Sequence, residues 1–405
     1  MKNRILLGVF GALAVGAFAV AGASGVGVVG AGIHKAEAAY RFADFQGRPP
    51  LHIYRAAAAK PAGMTPAEIK AVYNLPSTGG TGTIAIVDAY DDATIEADLG
   101  VFDSMYGLAA CTTKNGCFTK HKMASSTTAN SGWALETSLD IEWAHAIAPK
   151  AKILLVEAKT PSGANLLGAI DYAKKQKGVV AVSMSWGGAE FSDEATLDAH
   201  FAPGAGAAAS GTKISGTSAI AFFASSGDDG TGASWPAASP YVIGVGGTTL
   251  TLATSTGKFV KETAWSGSGG GVSAYEKEPA YQATYNIAKA NGMRAIPDVA
   301  YDADPASGFP VYKAPAGKST SGWYTVGGTS AGAPQWAAIQ ALGRAIGSSS
   351  SVNLVSLYVD KASSGTAKFF RDITSGKNGT CTYYCTARSR YDYVTGLGVP
   401  QTTKF

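Results

Sequence analysis

Short apolar runs and longer amphipathic stretches alternate along most of the chain. The apolar runs have the length of strands buried on both faces, and they cover residues 83–90, 152–158, 179–186 and 219–226. The stretches with apolar residues at helical spacing cover residues 92–106, 133–147, 162–176 and 193–201. Strand and helix in this order predict an α/β fold, a doubly wound and mostly parallel sheet with helices on both faces.

Residues 1–38 have the composition of a secretory signal peptide. Lys2 and Arg4 precede a long apolar run, and small residues suited to cleavage follow near residues 23 and 38. An uncleaved membrane anchor is the alternative, although the many Gly and Ala residues make this run a poor span. Residues 39–64 form a short irregular segment, and residues 65–405 are predicted to fold as one domain. We therefore expect a secreted protein with no stable membrane span.

The charge and the cysteines of the chain bear on its partners and its compartment. Charged residues make up only 15% of the chain, and the net charge of +4 is too small and scattered to indicate a nucleic-acid partner. The four cysteines form two local pairs, Cys111/Cys117 and Cys381/Cys385. In an exported chain such pairs predict two short disulfide-closed loops. A zinc site is the alternative, but no histidine is close to the second pair, and only His121 is near the first.

A serine in the stretch 323–346 is the first candidate for chemistry. An apolar strand ends at the pair Gly327–Gly328, and Ser330 then stands at the start of a helical pattern that continues to residue 346. A helix N-terminus favours developing negative charge, and small neighbours let another chain approach the hydroxyl. The stretch therefore predicts a serine nucleophile. The alternative is that Ser330 or the preceding Thr329 only caps the helix.

Three carboxylates are candidates to act with that serine. Glu136 and Asp140 are four residues apart on the helix 133–147, so they share one face. If that face is buried, the two would share a proton and their pKa values would separate; a solvated acidic face is the alternative. Asp228 follows the strand 219–226 in a turn, the place where open α/β sheets put their active sites; the alternative is that Asp228 and Asp229 only form the turn.

A histidine base is not predicted, although the chain has five histidines. His145 lies on the helix of Glu136 and Asp140, but helical geometry turns it about 140–180° away from both. His34 and His52 precede the predicted domain, and the remaining two lie in loop-like or Gly-rich surroundings. A Ser-His-Asp enzyme is therefore not expected.

Taken together, these motifs resemble the sedolisins, serine-carboxyl peptidases that keep a subtilisin-like fold and replace the catalytic histidine by glutamate. The matching motifs are GGTSAGAP (327–334), ETSLD (136–140) and SSGDDG (225–230), in the family's order. The resemblance covers about residues 65–401 and implies a subtilisin-like, doubly wound α/β fold.

The resemblance also implies a role for each motif residue. It makes Ser330 the nucleophile, Glu136 the general base, Asp140 the carboxylate that supports the base, and Asp228 the oxyanion donor. Asp88 stands where the family has a further acid behind this group. The residues implied to line the peptide-binding cleft are Ser185, Trp186, Gly187, Gly188, Gly269 and Gly270.

Two further implications concern a metal and a prodomain. The family has a calcium site near its C-terminus, which here corresponds to Asp372, Ile373, Arg388, Arg390 and Asp392. Two arginines replace glycines of the family pattern, but their backbone carbonyls are still oxygen ligands suited to Ca2+. The family also carries a long N-terminal prodomain, for which the residues before Thr65 leave almost no room. We therefore expect a variant without the usual prodomain.

The predicted function is that of a secreted, acid-active serine-carboxyl peptidase that acts on peptides or proteins as a monomer. Acid conditions are expected because Asp228 can donate a hydrogen bond to an oxyanion only while it is protonated. The alternative is a catalytically silent secreted or cell-surface binding protein that keeps the fold. The substrate's preferred side chains, and endopeptidase as opposed to tripeptidyl-peptidase action, do not follow from the sequence.

Overall fold

Most of the apolar runs predicted as strands form one central sheet. The computed structural model describes residues 41–125, 128–202, 220–314, 322–342, 354–358 and 369–401, so the predicted signal peptide lies outside the described residues. The strands are β1 His52–Ala58, β2 Thr83–Ala89, β3 Phe118–Lys122, β4 Lys152–Ala158, β5 Val179–Met184, β6 Gly188–Ala189, β7 Ala221–Ser225, β8 Ser234–Trp235, β9 Val242–Leu252, β10 Phe259–Ala264, β11 Gly271–Lys277, β12 Met293–Ile296, β13 Val299–Asp302, β14 Phe309–Tyr312, β15 Trp323–Gly327, β16 Phe370–Arg371 and β17 Val399–Pro400. The helices are α1 Pro66–Val72, α2 Ile95–Tyr106, α3 Ser131–Ile147, α4 Gly163–Ala173, α5 Ala280–Tyr285 and α6 Gly332–Ala341.

The central sheet is mostly parallel. Its strand order is β10-β9-β7-β5-β2-β4-β3, and β13 pairs with β9 beside this path. Every neighbouring pair from β9 to β3 is parallel, and only β10 joins in the antiparallel direction. Helices α3 and α6 pack on the sheet and on each other, while α4 packs on β2 and β4. The predicted doubly wound, mostly parallel α/β fold is confirmed.

Helix α3 is buried on nearly all sides, although it carries three carboxylates. Every residue from Leu135 to Ile147 is buried, and Glu136, Asp140 and Glu142 are each 0% exposed. Asn130 starts the helix, because its side chain accepts hydrogen bonds from the N–H groups of the first turn. Burial on all sides costs free energy for each charge unless the group is neutral or paired. The solvated acidic face considered for this helix is therefore wrong.

The segment 39–64, predicted to be irregular, contains strand β1. This strand pairs antiparallel with β15, next to which β14 completes a separate three-stranded sheet. The composition of β1 gives little local strand signal, so the pairing with β15 decides its conformation. Strand β1 belongs to the same compact unit as the central sheet. The helix predicted at 193–201 is a 3-10 helix, Glu194–His200, and α6 ends at Ala341, with residues 343–346 outside the described residues.

Both predicted disulfides are present, Cys111–Cys117 and Cys381–Cys385. The histidine nearest the first pair is His145, whose ring nitrogen lies within 4.8 Å of the sulfurs, and not His121, which stacks on Tyr172. The predicted direction of His145, away from Glu136 and Asp140, agrees with this place. In the described part of the chain, no helix combines the length and the apolar character needed to span a bilayer.

Candidate active site

Ser330 lies in the turn between β15 and α6. Gly328 has φ 128°, and a Cβ there would lie 2.0 Å from the carbonyl oxygen of Pro50 and 2.5 Å from Oδ2 of Asp228. The position therefore admits only glycine. The turn continues as the 3-10 segment Thr329–Ala331 directly into α6. Ser330 is fully buried, and its Oγ has no hydrogen-bond partner among the described residues.

Glu136 and Asp140 share the face of α3 that meets the turn of Ser330. Both are fully buried. Ser185, just after β5, donates a hydrogen bond to Oδ1 of Asp140 at 2.8 Å, and its Oγ is also 3.2 Å from the carbonyl oxygen of Ser330. One hydroxyl thus connects the carboxylates of α3 with the backbone of Ser330. The side chain of Ser185 faces these carboxylates.

Burial raises the pKa of Glu136 well above its usual range, and the charge of Asp88 raises it further. The hydroxyl of Ser330 acts in the opposite direction. The 3-10 segment that carries Ser330 packs directly on α3. Even so, neither oxygen of Glu136 makes a hydrogen bond of regular geometry with any described residue. The serine and the carboxylate are therefore adjacent without a closed hydrogen bond, as is common in sites without substrate.

Burial likewise raises the pKa of Asp140, with contributions from Asp88 and Glu136, while the hydroxyl of Ser185 lowers it. Asp88, on β2, is fully buried, and burial raises its pKa to about 7, whereas the hydroxyl of Thr137 lowers it. None of these three carboxylates forms an ion pair within the described ranges. A group of carboxylates this close, with no cation, can hold only part of its possible negative charge.

Asp228 lies in the turn after β7, on the other side of Thr329. Its Oδ1 accepts hydrogen bonds from the backbone N–H and the hydroxyl of Thr329, both at 2.8 Å. Its Oδ2 lies 3.2 Å from Nε2 of His52 in an ion-pair contact. Burial raises the pKa of Asp228, while His52 and Thr329 lower it. In this state the carboxylate acts as an acceptor.

The chain's own residues 45–52, which we call the cleft segment, run along this site. Arg48 and Gly187 exchange two backbone hydrogen bonds, of 3.0 and 3.1 Å, in an antiparallel bridge. At one end, Phe45 is fully buried against Trp186 and Trp235. At the other end the segment passes Gly328 and continues into β1. The backbone groups of Gly187, assigned from the sequence to a peptide substrate, are used here by the protein itself.

The other residues assigned to the cleft bond mainly within the fold. Trp186 is fully buried and donates from Nε1 to the carbonyl of Val87 at 2.8 Å. Gly188 pairs with Trp235 in β8. The N–H groups of Gly269 and Gly270 donate to the carbonyls of Gly227 and Gly232, at 2.7 and 2.9 Å. The last two glycines therefore support the turn that carries Asp228.

The residues assigned to calcium lie in two neighbouring loops. Oδ2 of Asp372 accepts the N–H of Arg390 at 2.7 Å, and Oδ2 of Asp392 accepts the N–H of Arg388 at 3.2 Å. Arg390 has φ 70°, so it keeps a left-handed conformation that suits a glycine. Burial raises the pKa of Asp392 to about 6, against backbone hydrogen bonds that lower it. Oδ1 of Asp372 is buried and has no partner among the described residues, so an oxygen is left for a cation.

His52 is the residue of this site that the sequence did not indicate. It precedes the predicted domain, and no local pattern places it near Asp228, 176 positions further on. The register of β1 on β15, in which His52 is opposite Gly327, brings it there. A strand prediction for residues 52–58 would have been the necessary signal.

A mostly parallel α/β sheet with a serine at the start of a helix, beside a buried carboxylate pair, is the arrangement of the subtilisin-like serine-carboxyl class. The chain belongs to the Subtilase family, whose sequence pattern matches residues 116–380, including Glu136, Asp140, Asp228 and Ser330.

Similar proteins agree with this family and fold. Sedolisin from Pseudomonas sp. (strain 101) is 28% identical over 381 residues, covering 84% of this chain and 60% of that protein. Kumamolisin from Bacillus sp. (strain MN-32) is 34% identical over 296 residues, covering 65% of this chain and 49% of that protein. The chain thus spans about half to three fifths of the length of these curated relatives. The solved structure of Pseudomonas sedolisin, a serine-carboxyl proteinase complexed with two molecules of pseudo-iodotyrostatin, matches with a TM-score of 0.68 and 26% identity, covering 84% of this chain and 96% of that chain.

Proposed function

We propose that this protein is a serine-carboxyl peptidase that hydrolyses peptide bonds. One observation carries the proposal: Ser330, Glu136 and Asp140 are fully buried and connected through Ser185, and neither carboxylate forms an ion pair with a described residue. Asp88 and Asp228 follow or end parallel strands at the same edge of the sheet, where α/β proteins bind ligands. The similarity to sedolisin and kumamolisin supports the same reaction class.

In the proposed reaction, the hydroxyl of Ser330 attacks the carbonyl carbon of a peptide bond. Glu136 accepts the hydroxyl proton and later returns it to the leaving amine, as imidazole does in other serine enzymes. Asp140 shares that proton with Glu136, and the hydrogen bond from Ser185 fixes its orientation. Because burial raises the pKa of both acids, a single negative charge on the pair is sufficient for the base.

Asp228 is proposed to stabilise the oxyanion by donating a hydrogen bond. It can do so only while protonated, and burial raises its pKa in that direction. As pH rises through its pKa, the donor is lost and activity falls. As pH falls, the pair Glu136–Asp140 becomes fully protonated and the base is lost. We therefore expect a bell-shaped profile with an optimum below neutrality, its limbs belonging to the coupled carboxylates and not to single residues.

Ser330→Ala tests the nucleophile. The variant should fold and keep less than about a thousandth of the wild-type rate of peptide hydrolysis. That residual rate is what substrate binding and oxyanion stabilisation provide without a nucleophile. Ser138→Ala is the matched control, since Ser138 is also fully buried with an unpartnered hydroxyl within the described residues. Its activity should remain near that of wild type. Equal losses in both variants, or a wild-type optimum at about pH 8, would contradict the assignment.

A peptide aldehyde separates the enzyme from the alternative of a silent binding protein. The aldehyde carbon accepts a serine hydroxyl to form a hemiacetal, so it should label wild type and Ser138→Ala at acid pH but not Ser330→Ala. The absence of both labelling and hydrolysis in wild type would favour the binding protein.

We propose that the protein is secreted and acts as a monomer on peptides or proteins. The predicted signal peptide supports export, and the two disulfides suit an oxidising compartment. A mass measurement of the culture supernatant, with the N-terminal residue identified, would test export and locate the cleavage near residue 23 or 38. A scattering mass above that of one chain would contradict the monomer.

We also propose that Ca2+ binds the loops of Asp372 and Asp392. The unpartnered Oδ1 of Asp372 supports the site, and Ile373, Arg388 and Arg390 would contribute carbonyl oxygens. Bound calcium would supply structural stabilisation. At about 100 times the dissociation constant the gain would be roughly 2.7 kcal/mol, read as a shift in melting temperature against chelator. Asp372→Asn should reduce the shift, and an unchanged melting temperature with no metal in elemental analysis would exclude the site.

A further inference from the structure

Near its C-terminal end, helix α3 carries a second side chain that can bind a ligand, outside the proposed active site. A ring nitrogen of His145 and the sulfurs of Cys111 and Cys117 all lie within 4.8 Å of one another. The two cysteines are joined as a disulfide, and Cys111 and His145 are each 1% exposed. None of the three side chains takes part in the proposed peptidase reaction, so that reaction does not account for the cluster.

We propose that Cys111, Cys117 and His145 bind Zn2+ when their disulfide is reduced. The loop 111–117 would then be closed by a disulfide in an oxidising compartment and by a metal ion in a reducing one. Two thiolates and one imidazole are ligands that Zn2+ prefers, and water takes the fourth position of such a site. The site is separate from the proposed calcium loops and does not depend on the proposed function.

The hydrogen bonds of His145 leave one of its ring nitrogens for a metal ion. Nε2 lies 2.9 Å from the carbonyl oxygen of Ala109, and because a carbonyl can only accept, Nε2 carries the hydrogen. Burial lowers the pKa of His145, which favours the neutral ring, so Nδ1 keeps its lone pair. Nδ1 is buried and has no hydrogen-bond partner among the described residues. Histidines that bind a metal usually donate their other N–H to a carbonyl or a carboxylate in this way.

Asp103, on α2, connects the histidine with the first cysteine. Its Oδ1 lies 3.5 Å from Nε2 of His145, and its Oδ2 accepts a hydrogen bond from the N–H of Cys111 at 3.1 Å. One carboxylate thus orients both the ring of one ligand and the backbone of another, as the outer partners of zinc ligands do. Asp103 is only 2% exposed, so the protein holds this arrangement in its interior. Asp103 is therefore a positioning residue of the site.

Cys117 gives the site its access to solvent. It is partly exposed and lines a cavity of about 300 Å³ together with Ala109, Asn115 and Lys152. A reductant and a metal ion can enter there, and a water molecule has room in the fourth position. Residues 113–116 between the cysteines are exposed, so the loop can let the two sulfurs move apart. Two sulfurs bound to Zn2+ at about 2.3 Å each are about 3.8 Å from one another.

The chemistry balances with a dithiol as the reductant. The dithiol passes two electrons and two protons to the cystine, the bond between the two Sγ atoms breaks, and the dithiol becomes a cyclic disulfide. Zn2+ then displaces both thiol protons into solvent. One Zn2+ with two thiolates and a neutral imidazole carries no net charge. Burial of this complex is therefore not opposed by repulsion from Lys70, whose charge reaches His145.

Metal binding by the wild-type chain in its two redox states tests the site. The protein is reduced with a dithiol, separated from it under argon, and titrated with Zn2+ or Co2+ in excess Ca2+, which occupies the proposed calcium loops. Reduced protein should bind one equivalent more than oxidised protein, and Co2+ should show a thiolate charge-transfer band and the absorption of a tetrahedral site. The chain with Cys381→Ser and Cys385→Ser should behave alike, since within the described ranges that pair belongs to no group of three metal-binding side chains.

Single substitutions then assign the ligands. His145→Gln should weaken Zn2+ binding to the reduced protein at least 100-fold because a ligand is lost, and Asp103→Asn roughly 10-fold because the ring is held less firmly, with the Co2+ band shape unchanged. His121→Gln is the matched control. The sequence places His121 close to the same cysteines, but its ring stacks on Tyr172, so the affinity should not change. Circular dichroism of the oxidised variants verifies folding.

The wild-type spectra decide the question even if His145→Gln does not fold. No additional Zn2+ in the reduced chain, a Co2+ spectrum without the thiolate band, or unfolding on reduction that Zn2+ does not reverse would each overturn the site. Equal weakening by His121→Gln and His145→Gln would do the same. Peptide hydrolysis is not part of these measurements, so a failure of the proposed function would show separately.

Discussion

Two groups of buried carboxylates in this molecule differ in whether a lysine neutralises them. The cleft carboxylates, Asp88, Glu136 and Asp140, are fully buried and have no cation within the described residues. The lysine-bound carboxylates, Asp92 and Asp98, are also buried, but Nζ of Lys313 lies 2.6 Å from an oxygen of each. The lysine-bound carboxylates hold the loop after β14 against α2. The cleft carboxylates have no cation within the described residues that fixes them in the charged form, so they can gain or lose a proton.

A missing cation does not by itself mark a catalytic acid. Glu142 follows Asp140 by two residues on α3, is fully buried, and forms no ion pair with a described residue, although the charge of Lys313 lowers its pKa. Its Oε2 accepts the backbone N–H of Tyr312 at 3.0 Å, and burial raises its pKa well above the usual range. What distinguishes Glu136 is the adjacent hydroxyl of Ser330. An acid without an ion pair therefore indicates a catalytic role only when a nucleophile lies next to it.

Glu136→Gln gives the largest expected effect. Glutamine has nearly the same shape but cannot accept the serine proton, so the turnover number should fall at least 100-fold and by as much as about 10,000-fold at every pH. Glu142→Gln is the matched control on the same helix and should keep activity within a few fold. Steady-state hydrolysis of a chromogenic peptide, with circular dichroism to verify folding, makes the measurement. Similar losses in both variants would mean that α3 acts only through its packing.

Lys313→Met should produce the next largest effect, on stability alone. The substitution leaves Asp92 and Asp98 buried without their cation, which costs about 3–5 kcal/mol of unfolding free energy. Lys122→Met is the control, because its ion pair with Asp91 at 3.2 Å is exposed and should contribute below about 1 kcal/mol. Urea unfolding at neutral pH measures both. If the two variants lost equal stability, the lysine-bound carboxylates would not be the structural group described above.

The sequence predicted the first member of this comparison better than the second. Glu136 and Asp140 are four apart on one helix, and helical periodicity is enough to bring them together. Lys313 meets Asp98 across 215 positions, and His52 meets Asp228 across 176. Contacts of this length depend on strand order and register, which no local pattern encodes. The alternation of strand and helix is a local pattern, so it predicted the central sheet. The pairing of β1 and the position of the cleft segment depend on long-range contacts, so the sequence did not predict them.

Asp88→Asn tests the cost of an unpaired acid through pH. The folded pKa of Asp88 is about 7, above its ordinary 3.8, so between these values the folded state binds more protons than the unfolded state. Unfolding free energy must then fall as pH rises across that window. Asparagine removes the penalty: the variant should gain roughly 2–4 kcal/mol over wild type above about pH 7, and nothing at about pH 3. Asp193→Asn, at an exposed position, should show no such dependence.

Ser185→Ala should give the smallest effect, and it tests whether the cleft carboxylates depend on a neutral donor in place of a cation. The hydroxyl of Ser185 binds Oδ1 of Asp140 and lowers the pKa of that acid. Its loss disfavours the charged pair, so the acid limb of the pH–activity profile should move to higher pH and the turnover number should fall about tenfold, with KM little changed.

The control for this last variant comes from β5, the strand that ends just before Ser185. Ser183→Ala removes another fully buried hydroxyl, one that has no partner among the described residues, and should leave the limb in place. Ser185→Thr keeps a donor and should restore most of the turnover. A loss of turnover without movement of the acid limb, or one that threonine does not rescue, would reduce Ser185 to a packing role. The orientation of the cleft carboxylates would then depend on α3 alone. They would differ from the lysine-bound carboxylates only in having no lysine beside them.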